Sequence, residues 1–538
     1  MPTLQALIDG YGPDFPGVDT LFGIEAGAAD VLKMEQPIPA LDRYLWEVAF
    51  LRNVTSGRNL GELRFNISLD WFLHLSYHLA SSPGIPQDKR VVDRISHEDD
   101  ETIRRLAATP SDILRAQYLE KFTEHDTAAA TDYLKILIAT KLPHLEQMIE
   151  GVHFPLTSED LMSIVMGTIF NTVHYGHAIP AVLDFCDKVI GYVEKYETRQ
   201  APLVLPGLTH RQAAEYTTLG KKFMTTVINI LELIDDAFFD KRGKVRPFTA
   251  KAGGALGNFT THYAAYPGID WEDFARSFIE RYGLKYQRMT FQSSLYTVEA
   301  GHFTALGNIL TSVMKFDQDF LEMAACPGQF FVKEKKKGTK GSSLMPNKSN
   351  LWEMEGAKAM LSEARDKLFH YAKELPSFAH EGDMQRSYLG RNIGDVYMPL
   401  FIGLTRSTQG LHKYRPNHPK IQAFFDEYPG MAGSVIQTVL KRERIEGDAY
   451  REIQRIAINV DGTYANAAQF RTGLEGAMER LGLEDGARIE LRSCLDPQQQ
   501  VKHAHTMAWE ELDHAKIKIQ QYRRALSDRV FANTRRDA

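Results

Sequence analysis

A chain of 538 residues with 43% hydrophobic content can bury a large core, and its length predicts several domains or one extended helical body. Lysine plus arginine at 63 against aspartate plus glutamate at 69 gives a net charge of −6, so no basic field points to nucleic acid or to an acidic membrane surface. The cysteines Cys186, Cys326 and Cys494 are odd in number and far apart, which excludes a disulfide framework or a paired-cysteine metal site and fits a reducing compartment.

The N-terminus, Met1 to Asp9, has no basic segment ahead of an apolar run, and no later window holds roughly eighteen uncharged apolar residues. A cytoplasmic protein without a membrane span is expected. His125-Asp126 precedes a helical run from Thr127 to Leu137. Thr157-Ser158-Glu159-Asp160 precedes another, in which Leu161, Ile164, Val165, Ile169 and Val173 recur at helical spacing. Each of these polar clusters, taken alone, is a helix cap more readily than a site.

Next comes Gly207-Leu208-Thr209-His210-Arg211-Gln212, an irregular stretch leading into a helix predicted from about Arg211 to Asp240. His210 is therefore expected near a helix N-terminus, where its tautomer and charge can be tuned for proton transfer. Further long helices are predicted over 297–325 and 351–375, and strand-like alternation is scarce. Breaks rich in glycine and proline, at 201–207, 253–257 and 266–268, read as connections between helices. Several long helices imply a bundle. The basic run from Lys333 to Lys340 reads as a solvated hinge.

The most informative stretch is Lys340-Gly341-Ser342-Ser343-Leu344-Met345-Pro346-Asn347-Lys348-Ser349-Asn350. Gly341 and the two serines suit a mobile loop whose backbone N–H groups can turn toward an anion, and Lys348 and Asn350 add a charge and a dipole beside it. Such a loop is built to hold a carboxylate. It resembles the signature GSSxMPxKxN of the fumarase/aspartase superfamily, whose members release fumarate by breaking a carbon–nitrogen or carbon–oxygen bond.

Over most of the chain the likeness is to the adenylosuccinate lyase branch. His125-Asp126 is similar to its HD motif, Thr157 to Asp160 to its TSED, and Thr209-His210 with Gln212 to its THxQ. Gly253 to Asn258 resembles the segment that follows. The resemblance implies an all-α, three-domain fold around a central long-helix bundle, here divided as 1–150, 151–413 and 414–538. It also implies a homotetramer with active sites shared between subunits. Ser343 would be the base and His210 the acid. His125, Asp126, Thr157, Ser158, Thr209, Gln292, Lys348, Asn350, Ser387 and Arg391 would hold a small-molecule succinyl substrate, with Glu355 supporting a neighbouring lysine or histidine. No metal or cofactor is expected.

Departures from the pattern concern the phosphate end of a nucleotide. Glu381 to Asn392 resembles the QRDxxxSxxxRN segment but carries Gly382 where an arginine is expected, while Ser387 and Arg391 remain. Asp9-Gly10-Tyr11-Gly12 resembles a DGRYG segment without its arginine. Three readings stay open: the branch's own substrate, with Arg386 or a lysine of the basic run replacing the missing arginine; a related fumarate-releasing lyase acting on another N-succinyl compound; and a non-enzymatic helical scaffold that keeps the fold, disfavoured because Ser343, Lys348, Asn350 and His210 are all present.

Overall fold

Helix starts follow their caps. The computed structural model describes residues 4–11, 15–27, 44–106, 109–325, 328–334, 341–345 and 347–528; Cys326, the basic run at 335–340, Gly12 and Pro346 lie outside the described residues. Helix α1 (Gly57–Ala80) begins at Ser56, whose Oγ accepts the Asn59 N–H at 3.2 Å. In α2 (Pro110–Thr123), Thr109 and Asp112 exchange hydrogen bonds around a first-turn proline, the reciprocal box that satisfies two orphan donors at once. His125 caps α3 (Asp126–Lys141). At α4 (Ser158–Val173) the Thr157 N–H donates to the Asp160 carboxylate at 3.0 Å. A single π turn, His174–Ala178, carries this helix on into α5 (Ile179–Tyr196).

The next segment differs from the expectation. Residues 204–218 form an antiparallel hairpin, β1 (Val204–Thr209) and β2 (Gln212–Thr218), with Val204 opposite Thr218 and Thr209 opposite Gln212. Helix α6 (Leu219–Phe238) starts only after it, capped by the Thr218 hydroxyl, which accepts the Lys221 N–H at 2.9 Å. His210 therefore sits at no helix N-terminus. With Arg211 it makes the two-residue turn, both residues at positive φ (53° and 61°), as a turn matching the strand twist requires.

After α7 (Trp271–Glu280) comes the longest helix, α8 (Thr297–Ala324), then β3 (Phe331–Lys333), α9 (Trp352–Glu374), α10 (Gln385–Arg391), α11 (Gly394–Leu411) and β4 (Tyr414–Pro416). Helices α8 and α9 run antiparallel, since Gly307 lies beneath the Phe369 ring while Lys358 reaches Gln318. Helix α9 packs on α11, and α6 packs on α8 and on the last long helix, α12 (Lys502–Ser527). Residues from Leu21 to Met431, with Val501 to Leu526, share one apolar core. A second core lies within 432–494, around Ile436, Phe470 and Leu491. The expected all-α class holds, with strands among the described residues confined to three two-stranded ladders.

Candidate active site

At the end of the bundle where α8 begins, the starts of α3 and α4 meet α10. Asp126 is the focus. Its Oδ2 accepts Arg64 Nη2 at 2.9 Å and Arg391 Nη2 at 3.1 Å, while Oδ1 accepts the Thr127 N–H at 2.7 Å. Burial works to raise this carboxyl, but the Arg64 charge and the Arg391 contact prevail and hold it at about 2. His125 is half exposed beside it. Its Nδ1 accepts the Thr127 N–H at 3.2 Å.

A small cavity adjoins this ion triad, lined by Arg64, Asp126, Glu159, Tyr296, Arg386, Ser387 and Arg391. Arg386 is buried among them. Its Nη2 donates to the Asp383 carbonyl at 3.1 Å and its guanidinium lies over the Phe378 ring, but among the described residues Nε and Nη1 find no hydrogen-bond partner. Glu159 stands 3.6 Å from Nε and also accepts the Tyr296 hydroxyl at 3.3 Å. Burial pushes the Glu159 carboxyl up, against the pull of Arg386.

Gly382 explains the missing arginine in steric terms. A Cβ there would lie 2.7 Å from Ser293 Oγ, 3.0 Å from Gln292 Oε1 and 3.5 Å from Arg386 Nη2, so the space beside it is already filled, partly by the Arg386 guanidinium. The sequence pattern identified Asp126, Ser387 and Arg391. It gave no sign of Arg64, which lies 62 residues before its partner Asp126.

Beneath this cluster lies a wholly buried ion pair. Lys251 Nζ is 2.6 Å from Asp160 Oδ1, and Asp160 also accepts the backbone N–H groups of Gly253 and Gly254, both at 3.0 Å. Lys251 donates in turn to the Gln292 carbonyl at 2.8 Å. The pair thus ties the capping segment Thr157-Ser158 to Gln292. Both Thr157 and Ser158 serve as the helix start, with partly buried side chains.

The opposite end of the bundle carries the signature loop and the hairpin tip. Gly341 is required there: a Cβ would fall 2.1 Å from the Lys348 carbonyl, so only glycine lets the loop close on itself. Ser342 Oγ accepts the N–H groups of Leu344 and Met345 at 3.3 and 3.1 Å, organising the turn. Ser343 and Lys348 are exposed, as is Leu344 at 84%. Lys333 donates to the Asn350 carbonyl at 3.0 Å and to Glu353 at 2.6 Å, and Lys413 reaches the other Glu353 oxygen at 2.9 Å. At this end of the bundle the acidic residue that holds Lys333 and Lys413 is the buried Glu353, while Glu355 is exposed. Lys333 belongs to this network rather than to a solvated hinge. Thr209 and His210 stand exposed on the hairpin, anchored by Arg211 to Glu322 at 3.1 Å.

These two groups of residues lie far apart. Tyr296, at the start of α8, lines the arginine cavity, and Glu322, in its last turn, holds the hairpin; between them the helix rises about 39 Å. Because α9 runs antiparallel to α8 and begins just after the signature loop, Ser343 shares its end with His210, away from Asp126 and Arg391.

Residues 62–364 match a family described as "Lyase". Three similar proteins are all named adenylosuccinate lyase. That of Vibrio cholerae serotype O1 is 28% identical over 411 residues, covering 76% of this chain and 86% of its own. That of Dictyostelium discoideum is 26% identical over 461 residues, covering 84% and 94%. That of Escherichia coli strain K12 is 26% identical over 471 residues, covering 87% and 97%.

Proposed function

Because the chain belongs to the lyase family, we propose that it eliminates fumarate from an N-succinyl substrate, and that the substrate is adenylosuccinate, as the names of its relatives suggest. In this reading Ser343 removes the Cβ proton of the succinyl group. The C–H electron pair becomes the fumarate double bond as the carbon–nitrogen bond breaks, and His210 returns a proton to the leaving nitrogen. Lys348, Asn350 and the loop amides stabilise the charge that develops on the carboxylate side. His125, Asp126, Thr157, Ser158, Thr209 and Gln292 line the substrate, with Ser387, Arg391 and the unsatisfied Arg386 toward its phosphate.

One observation carries the proposal: the arginine-lined cavity and the serine-bearing loop occupy opposite ends of one 28-residue helix. A single chain cannot fold both around one small molecule, so the active site is proposed to join ends of different subunits, in a homotetramer. The exposed Leu344 fits a loop that closes against a neighbour. Division into 1–150, 151–413 and 414–538, with α12 reaching back to the bundle, is proposed as the domain plan. A cytoplasmic location is proposed with it. It agrees with Cys186 and Cys494 being free and buried and with the lack, among the described residues, of a helix long and apolar enough to cross a membrane.

Gly382 favours a second reading, a related lyase acting on an N-succinyl compound without a nucleotide phosphate, because the expected bidentate contact is missing. The deciding experiment measures fumarate release from adenylosuccinate against other N-succinyl amines. Efficient turnover of adenylosuccinate supports the first reading, and turnover confined to another N-succinyl amine overturns it.

A further inference from the structure

A cleft of about 450 Å³ opens along α1, on the face of that helix next to the one that carries Leu60 and Arg64 into the substrate cavity. Its volume falls in the range of small-molecule sites. Four arginines line it, Arg52, Arg58, Arg104 and Arg281, contributed by the turn before α1, by α1 itself, by the helix ending at Arg104, and by the residue after α7.

Two of the four are neutralised inside the cleft. Arg58 Nε donates to Glu62 Oε1 at 2.9 Å. Arg104 Nη1 donates to Asp70 Oδ1 at 2.8 Å, and Asp70 spends its other oxygen on the Tyr282 hydroxyl at 2.5 Å. Among the described residues the other two have no carboxylate partner. Arg52 holds its Nε buried and, among those residues, without a hydrogen bond, although a guanidinium nitrogen removed from water normally finds an acceptor. Arg281 reaches the Nδ1 of His74, at 3.4 Å. Burial first, then the charges of Arg281 and His78, pushes that histidine down to about 4, so at neutral pH the ring accepts a hydrogen bond and cancels no charge.

Two uncompensated guanidinium groups therefore face one polar cleft. A phosphate monoester carries close to two negative charges at neutral pH and matches the planar donor fork of arginine. Asn53 and Asn66, also on the lining, add neutral donors and acceptors for the organic part. We propose that this cleft is a second anion site, holding a small organic phosphate through Arg52 and Arg281, separate from the substrate cavity on the adjoining face of α1.

The test is equilibrium dialysis of the full chain with radiolabelled inorganic phosphate and, in parallel, with AMP, for the wild type and for Arg52→Gln, Arg281→Gln and the double variant. Each single change is expected to weaken one class of sites by roughly ten-fold or more, and the double variant to lose one site per chain. Arg281→Lys, which keeps the charge at an exposed position, should retain most of that binding, showing that charge and not folding is lost. Tighter binding of AMP than of phosphate supports an organic ester; equal binding keeps the site but assigns it to the free ion. Unchanged stoichiometry and affinity in the double variant would overturn the proposal, as would a wild type with a single class of sites that Arg391→Gln alone removes.

Discussion

The two ends of the helical bundle are built by opposite rules. Where α8 begins, the two carboxylates that shape the candidate site are fixed inside the chain, Asp126 by Arg64 and Arg391 and Asp160 by Lys251 and two glycine amides, and the same lysine holds the Gln292 carbonyl. Where α8 ends, Ser343, Lys348 and His210 stand in water, and what is fixed is only the base on which they stand, through Glu353 and Arg211. One end is organised before any substrate arrives. On the proposed reading, the other is completed by a neighbouring subunit. The proposed base and acid thus stand apart from the buried ion pairs, so substitutions at the two ends should separate turnover from stability.

The largest effect should fall on stability at the organised end. Asp160→Ala leaves the Lys251 ammonium buried without its carboxylate, a loss of the kind that costs about 3–5 kcal/mol. Chemical denaturation should show it as a lower midpoint with unchanged slope. If Asp160→Ala unfolded within 1 kcal/mol of the wild type, roughly the size of an ordinary substitution, the buried pair would not be the anchor of this end.

The open end should behave in reverse. Ser343→Ala should lower turnover by at least ~100-fold, the scale of a lost acid–base group, while leaving the denaturation curve in place. His210→Gln should do likewise and alter the pH profile of the rate. A Ser343→Ala enzyme with near-normal fumarate release would remove the serine from the mechanism.

Mixing variants joins the two ends in one measurement. Ser343→Ala damages the loop end and Arg391→Gln the arginine end, so neither homo-oligomer has an intact site. After dissociation and random reassembly, sites whose halves come from different chains should be whole in about a quarter of cases. Recovery toward that level is the expected result. No recovery, or a light-scattering mass near one chain, would mean that the two ends never meet.

Much of this contrast was written in the sequence, though unevenly. The start at Ser158 is legible from its cap and the helices from Thr297 and Trp352 from their periodicity, because both are local signals. The hairpin is not. Its second strand, Gln212 to Thr218, shows no alternation of exposed and buried residues, and its turn is His210-Arg211 instead of the usual asparagine–glycine pair. Motif spacing singled out Asp126, Ser387 and Arg391, which line one cavity, but Arg64 enters through a contact spanning 62 residues, which no local pattern can report. Glu353 rather than Glu355 binds the lysines, because helix phase turns the former into the core and the latter out.

The smallest expected effect is a pH dependence that belongs to the organised end alone. Asp126 titrates at about 2 in the folded chain against an ordinary 3.8, because Arg64 and Arg391 outweigh the cost of its partial burial. A carboxyl lowered by folding contributes stability that is present above its unfolded value and disappears as pH falls through the folded one. The contribution should therefore be complete at neutral pH and vanish between about pH 4 and pH 2. Asp126 is partly solvated, so the full shift overstates it, and about 1 kcal/mol is the appropriate scale after screening. Asp126→Asn should lower stability by that amount at pH 7 and match the wild type near pH 2, so that the two acid-unfolding curves converge. Parallel curves across that range would show that the arginines hold Asp126 no more firmly in the folded chain than water does in the unfolded one, and the organised end would then rest on Asp160 and Lys251 alone.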